Sequence, residues 1–140
     1  MAQEGRLLHS GGDPDTIAFL RSSAKPFQVL PFVEKGGLAY FDISDAELSL
    51  ACASHDGFPL HLNAVRAMQA KIGVSESDLQ CGGHAPDCKE SAIDLVKRDC
   101  SPSNNYNNCS GKHTAMLACA KMQNLPIATY LDRAHPIQRY

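Results

Sequence analysis

Apolar residues recur at Leu62, Val65, Met68 and Ile72, three or four positions apart, and the run stops at Gly73. That spacing follows the helical period, so residues 60–72 are expected to form a helix that turns one apolar stripe toward a core. Gly73 suits its end, because helices favour a left-handed residue there. Ser44 and Glu47 mark another helix start. In an S-x-x-E box the hydroxyl and the carboxylate each accept from an amide that the first turn leaves free.

The remaining segments follow the same logic. Residues 89–98 predict a helix with Ile93 and Val96 inward, and residues 110–123 one carrying Ala115, Met116, Cys119 and Met122. Pro126 and Pro136 suit further helix starts. Residues 24–37 (AKPFQVLPFVEKGG) read as a helix ended by Gly36 and Gly37. Pro26 is tolerated in its first turn, whereas Pro31 is expected to kink or break it. Residues 10–15 carry turn chemistry, and the β-branched and aromatic run 16–21 (TIAFLR) predicts a strand leading to Ser22. Residues 38–43 read as a brief strand or packed loop, 75–78 as a short turn or helix, and 101–108 as an Asn-rich loop. The expectation is a mostly helical chain with a few strands at its front.

With 140 residues, 44 % apolar and 20 % charged, there is material for one core. A net charge of −2, with Lys and Arg scattered singly, argues against nucleic acid or an anionic membrane as partner. No apolar run approaches the roughly 18 residues of a membrane span. Residues 1–6 are polar and include Glu4, unlike a secretory signal, so a cytoplasmic protein is expected. Its six cysteines (Cys52, Cys81, Cys88, Cys100, Cys109, Cys119) then read as thiols or metal ligands rather than disulfides. The chain opens almost at once on the turn at Gly11 and stops just past His135-Pro136, so a piece of a larger domain is expected.

Four constellations could carry chemistry. Ser22 and Lys25 form S-x-x-K, and at a helix start residues three apart share a face, so hydroxyl and amine can meet. Serine needs a base to attack a carbonyl, and a buried lysine can serve because desolvation disfavours its charged form. The alternative is a helix cap followed by an exposed lysine. Cys109-Ser110-Gly111-Lys112-His113 precedes a helix. It reads as a thiolate primed by the helix N-terminus, or as a buried cysteine of no chemical role. A phosphate loop fits poorly, since the preceding Gly-rich run is absent. Cys81, His84 and Cys88 have ligand types at zinc-like spacing but lack a second close pair. Ser54-His55 could pair a nucleophile with a base, although adjacent residues rarely face each other.

Taken together, RSSAKPFQ (21–28), LACASH (50–55), Cys81-Gly82 with His84 and Pro86, NNCSGKH (107–113), and His135-Pro136 with Gln138 stand in the order and approximate spacing of one family. The chain resembles the asparaginase II family, the rhizobial-type L-asparaginases, across roughly residues 12–138. The resemblance implies an α/β (α+β) fold similar to serine β-lactamases and penicillin-binding proteins, of which 1–140 would be a single partial domain. It implies hydrolysis of L-asparagine to L-aspartate and ammonia, with Ser22 as nucleophile, Lys25 as base and Ser54 as second active-site serine.

By the same resemblance Cys109 and Lys112 are expected to bind zinc, with a further cysteine ligand absent from this chain. Arg21, His55 and His113 are expected near the substrate, and a homodimer is allowed in the full-length family. The missing parts would be the first strands and the C-terminal half, with the lysine that partners the second serine. Asp56, Phe58 and Gly83 depart from the family pattern. Two other readings compete. One is a penicillin-recognising serine hydrolase, for which Ser103-Asn104-Asn105 could be the second motif, though no K-[ST]-G triplet occurs. The other is a non-catalytic zinc-binding fragment.

Overall fold

A computed structural model describes residues 2–3 and 6–139 of the chain, so Tyr140 lies outside the described residues. Its helices are α1 (Lys25–Glu34), α2 (Gly37–Tyr40), α3 (Asp45–Cys52), α4 (Pro59–Ile72), α5 (Lys89–Lys97) and α6 (Ser110–Met122). Single 3-10 turns cover Arg21–Ala24, Glu76–Asp78, Asn104–Tyr106, Ile127–Thr129 and Pro136–Gln138. Strand structure among the described residues is limited to an antiparallel pair, β1 (Ala2–Gln3) with β2 (Arg6–Leu7), in the register Ala2 to Leu7 and Gln3 to Arg6. The mostly helical expectation holds. The sheet flanked by helices is not formed by the described residues.

Helix α6 is the hub. Ten of its residues, from Ser110 to Ala120, are buried, because small and apolar side chains face outward on every side. It packs against α1, α3 and α4 through a core of Val29, Phe32, Ala51, Met68, Ile72, Ala115, Ala118 and Cys119. Gly111 permits the closest approach: a Cβ there would lie 2.7 Å from the Leu50 carbonyl oxygen on α3. That crossing brings the N-terminus of α6 to the C-terminus of α3, where Ser54 follows.

Local signals set the helix ends. Ser44 Oγ accepts from the Glu47 amide at 3.4 Å, and Glu47 Oε2 accepts from the Ser44 amide at 2.8 Å, so the capping box forms in full. Burial pushes the Glu47 carboxyl up, but hydrogen bonds from Lys71 (2.8 Å) and Ser44 outweigh it and hold the group below its ordinary value. The stripe of α4 is buried at Leu62, Val65, Met68 and Ile72, and Gly73 ends the helix at φ 71°.

Four expectations change. Pro31 does not break α1; Val29 and Phe32 on either side of it are buried, and their packing offsets the lost backbone bond. On α5 the inward residues are Ser91 and Leu95, while Ile93 is 54 % and Val96 80 % exposed. Ser91 is drawn in because its hydroxyl donates to the Gly57 carbonyl at 2.7 Å. Residues 38–43 include the end of α2 rather than a strand. The TIAFLR run is also not a strand: residues 16–20 have no regular structure, and Ile17 and Phe19 are almost wholly exposed. A strand needs a neighbour for its ladder, and this segment has none among the described residues.

Candidate active site

Three separate segments converge on one amine. Lys25 opens α1 and is 2 % exposed. Its Nζ donates to the Ala53 carbonyl at 2.9 Å, the Asn108 carbonyl at 3.0 Å and Ser54 Oγ at 2.6 Å. Ser54 Oγ in turn donates to Ser22 Oγ at 2.7 Å. The two serines are exposed and the lysine lies beneath them. Lys25 therefore reaches Ser22 through Ser54, rather than by the direct helix-face contact that S-x-x-K spacing suggests.

This arrangement accommodates both charge states of the amine. As an ammonium, Lys25 has three donors for three acceptors, and no carboxylate is needed. As a neutral amine it keeps two donors for the two carbonyls, and its lone pair faces Ser54. The proton order then reverses, with Ser22 donating to Ser54 and Ser54 to Lys25. Just ahead of the nucleophile candidate, Arg21 adopts φ 50°, an uncommon conformation for a residue with a side chain. Its side chain is exposed.

The loop after α3 is fixed by its neighbours. The His55 amide donates to the Asn108 carbonyl at 3.4 Å, so that one carbonyl serves both Lys25 and the serine loop. His55 Nδ1 accepts from the Gly57 amide at 3.2 Å, which leaves the proton on Nε2 to donate to Ser110 Oγ at 2.8 Å. His55 is 3 % exposed with both ring nitrogens engaged, so it reaches a substrate only by its ring. Asn108 is held in turn by His84, whose Nε2 accepts its amide at 3.1 Å.

Burial pushes His55 down to about 4, and the neighbouring His61 and Lys25 act in the same direction. Below its unfolded value of 6.5 the unfolded chain gains a proton that the folded chain refuses. The contribution of His55 is thus complete above about pH 6.5 and falls by at most about 3 kcal/mol as pH drops toward 4. The His55 ring signals in NMR are expected to titrate near pH 4, and urea stability to decline across that window. A ring titrating near 6.5 would contradict this.

His113, on α6, is also buried. The Tyr130 hydroxyl accepts from the Gln80 amide at 2.8 Å and lies 2.6 Å from His113 Nδ1, to which it can give its own proton. Burial pushes His113 down to about 4 and Tyr130 up to about 12, so both are neutral near pH 7.

Cys109 is the N-cap residue of α6, with its thiol 3.2 Å from Asn108 Oδ1, and Lys112 lies one turn further on. Among the described residues no group of three His, Cys, Asp or Glu is placed to hold a metal. The Cys81, His84 and Cys88 set does not assemble: Cys88 is buried, and both His84 nitrogens are engaged, Nδ1 with the Ala85 carbonyl. Ser103-Asn104-Asn105 lies apart from the serines as well. Asn104 Nδ2 bonds the Leu79 carbonyl, and Asn105, 1 % exposed, bonds Gln69 and Glu76. At Gly83 a Cβ would overlap the Pro102 carbonyl, so the small residue is required where it stands.

Two clefts border these elements. One of about 290 Å³ lies between α3 and α4 and is lined by Ser54, His55 and His61. A larger one, about 740 Å³, lies between α4 and α5 and includes none of the predicted site residues. Over residues 1–140 the sequence matches the family model described as L-asparaginase II. A comparison with curated proteins returned no match.

Proposed function

Because the chain belongs to the L-asparaginase II family, we propose that it hydrolyses L-asparagine to L-aspartate and ammonia, with Ser22 as nucleophile. The observation that carries this reading is the hydrogen-bonded line from Lys25 through Ser54 to Ser22.

In the attacking state Lys25 is the neutral amine. Ser22 passes its proton to Ser54, Ser54 passes its own to Lys25, and the Ser22 oxygen bonds to the side-chain amide carbon. The carbonyl oxygen becomes an oxyanion, which backbone donors must stabilise. Collapse of this intermediate breaks the C–N bond. The proton stored on Lys25 returns through Ser54 to the leaving nitrogen, releasing ammonia and leaving an aspartyl ester on Ser22. Water then attacks the ester, giving its proton to the same relay; the bond from the acyl carbon to Ser22 Oγ breaks, the relay returns the proton to that oxygen, and aspartate departs. His55 and Asn108 act by holding Ser54 and Lys25 in line, and Arg21 and His113 border the same segments.

Zinc on Cys109 and Lys112 is part of the family resemblance. A closed tetrahedral site needs four donors. The described residues supply these two and no cluster that completes the set, so the donor set does not fit a whole site. No step above runs through a metal. Six unpaired cysteines suit a cytoplasmic setting, where thiols stay reduced. Among the described residues no helix is long and apolar enough to cross a membrane.

Coupled detection of ammonia from L-asparagine tests the activity, and Ser54→Ala tests the relay. Removing the bridging hydroxyl is expected to lower kcat on the order of 10²- to 10³-fold, in the range of lost general acid–base catalysis. Undiminished turnover in Ser54→Ala would reject the relay while leaving the activity standing. A penicillin-recognising activity is tested by labelled penicillin, which is expected not to acylate Ser22.

A further inference from the structure

Nδ1 of His61 is buried and has no hydrogen-bond partner. Leaving such an atom unpaired costs roughly 1–3 kcal/mol, so a native protein that does so has a use for it. His61 lines the cleft between α3 and α4, together with Ser49, Leu50, Ser54, His55 and Ala64. Ser54 is also the relay serine, 2.7 Å from Ser22 Oγ, so the cleft adjoins the reacting oxygen.

We propose that this cleft seats the α-carboxylate of the amino-acid substrate, with the imidazole of His61 as its donor. The inference rests on the amidohydrolase reading above and deepens it.

The surroundings favour an anion. No acidic side chain lines the cleft, so an ammonium group would find no charged partner there. His55 offers only its ring, its nitrogens being engaged with Ser110 and Gly57, whereas His61 keeps an unpaired ring nitrogen. Lys25 lies buried close by, its Nζ 2.6 Å from Ser54 Oγ at the edge of the cleft. His61 also stands in the first turn of α4, where Phe58 provides no side-chain cap, so the positive end of that helix faces the same region. A volume of about 290 Å³ is enough for a small amino acid.

The test compares L-asparagine with 3-aminopropanamide, which keeps the amine and the amide but lacks the carboxylate. In His61→Phe the KM for L-asparagine is expected to rise on the order of ten- to a hundredfold, with kcat changed far less. The constants for 3-aminopropanamide should stay as in the unsubstituted chain. His61→Gln, which keeps a donor, should recover part of the loss and guards against a folding defect. A KM that does not change, or that rises equally for both compounds, would overturn the proposal.

NMR supplies a readout independent of turnover. Titration with L-aspartate is expected to move the His61 ring signals, and titration with 3-aminopropanamide to leave them in place. If asparagine is hydrolysed and aspartate leaves His61 unmoved, the subsite is rejected and the enzyme stands. If aspartate moves His61 in a chain that turns over no asparagine, the subsite stands and the hydrolase reading falls.

Discussion

Replacing Ser22 by alanine is expected to lower kcat for L-asparagine on the order of 10⁴-fold, with little change in stability. The oxygen removed is the one that would bond to substrate carbon, and neither Ser54 nor Lys25 can take its place without moving. Losses of this size follow when a nucleophile is deleted and only binding and electrostatic stabilisation are left. Stability should hardly respond, because Ser22 is exposed and its hydroxyl makes one hydrogen bond, to Ser54. Surface changes of this kind usually stay within about 0.5 kcal/mol. Steady-state kinetics and thermal unfolding of the same preparation separate the two effects. A variant that is inactive because it is unfolded would not support the assignment.

Lys25→Met should damage both catalysis and stability. Without the amine the relay has no terminal acceptor, and kcat is expected to fall on the order of 10³-fold or more. Methionine fills a similar volume but leaves the Ala53 carbonyl without its donor and the Asn108 carbonyl with the long bond from the His55 amide alone. Each buried acceptor left unpaired costs roughly 1–3 kcal/mol. Arginine should not rescue the variant, since its planar fork does not reproduce three donors on one nitrogen and it does not act as a base. Urea unfolding that shows no loss of stability in Lys25→Met would contradict the hydrogen bonding described for Lys25.

How far the sequence foretold the structure depends on where each signal lies. The α4 stripe and the Ser44–Glu47 box were readable because spacing alone specifies a helical face and a capped end. The α5 face was misassigned because hydrophobicity favoured Ile93 and Val96, whereas Ser91 is pulled inward by the Gly57 carbonyl. TIAFLR has strand composition, but a strand is a property of a pair, and composition names no partner.

The site divides in the same way. Ser22, Lys25 and Ser54 stand out as candidates from their blocks, and the structure places them within hydrogen-bond reach of one another. What spacing could not give is their order, with Ser54 in the middle. Nor could it give the other two partners of Lys25, which are backbone carbonyls and carry no residue-type signal. His61 was missed for a related reason: a lone histidine on a helical pattern has no signature until its unpaired nitrogen and the neighbouring cleft are seen together.

Ser22 as the atom that carries the acyl group is the centre of the account. Acid quenching during turnover of L-asparagine, followed by peptide mass spectrometry, reads it directly. The account predicts one aspartyl group on the peptide containing Ser22, absent when Ser22 is alanine. An aspartyl group on Ser54 or Cys109, formed during normal turnover with Ser22 unmodified, would contradict it.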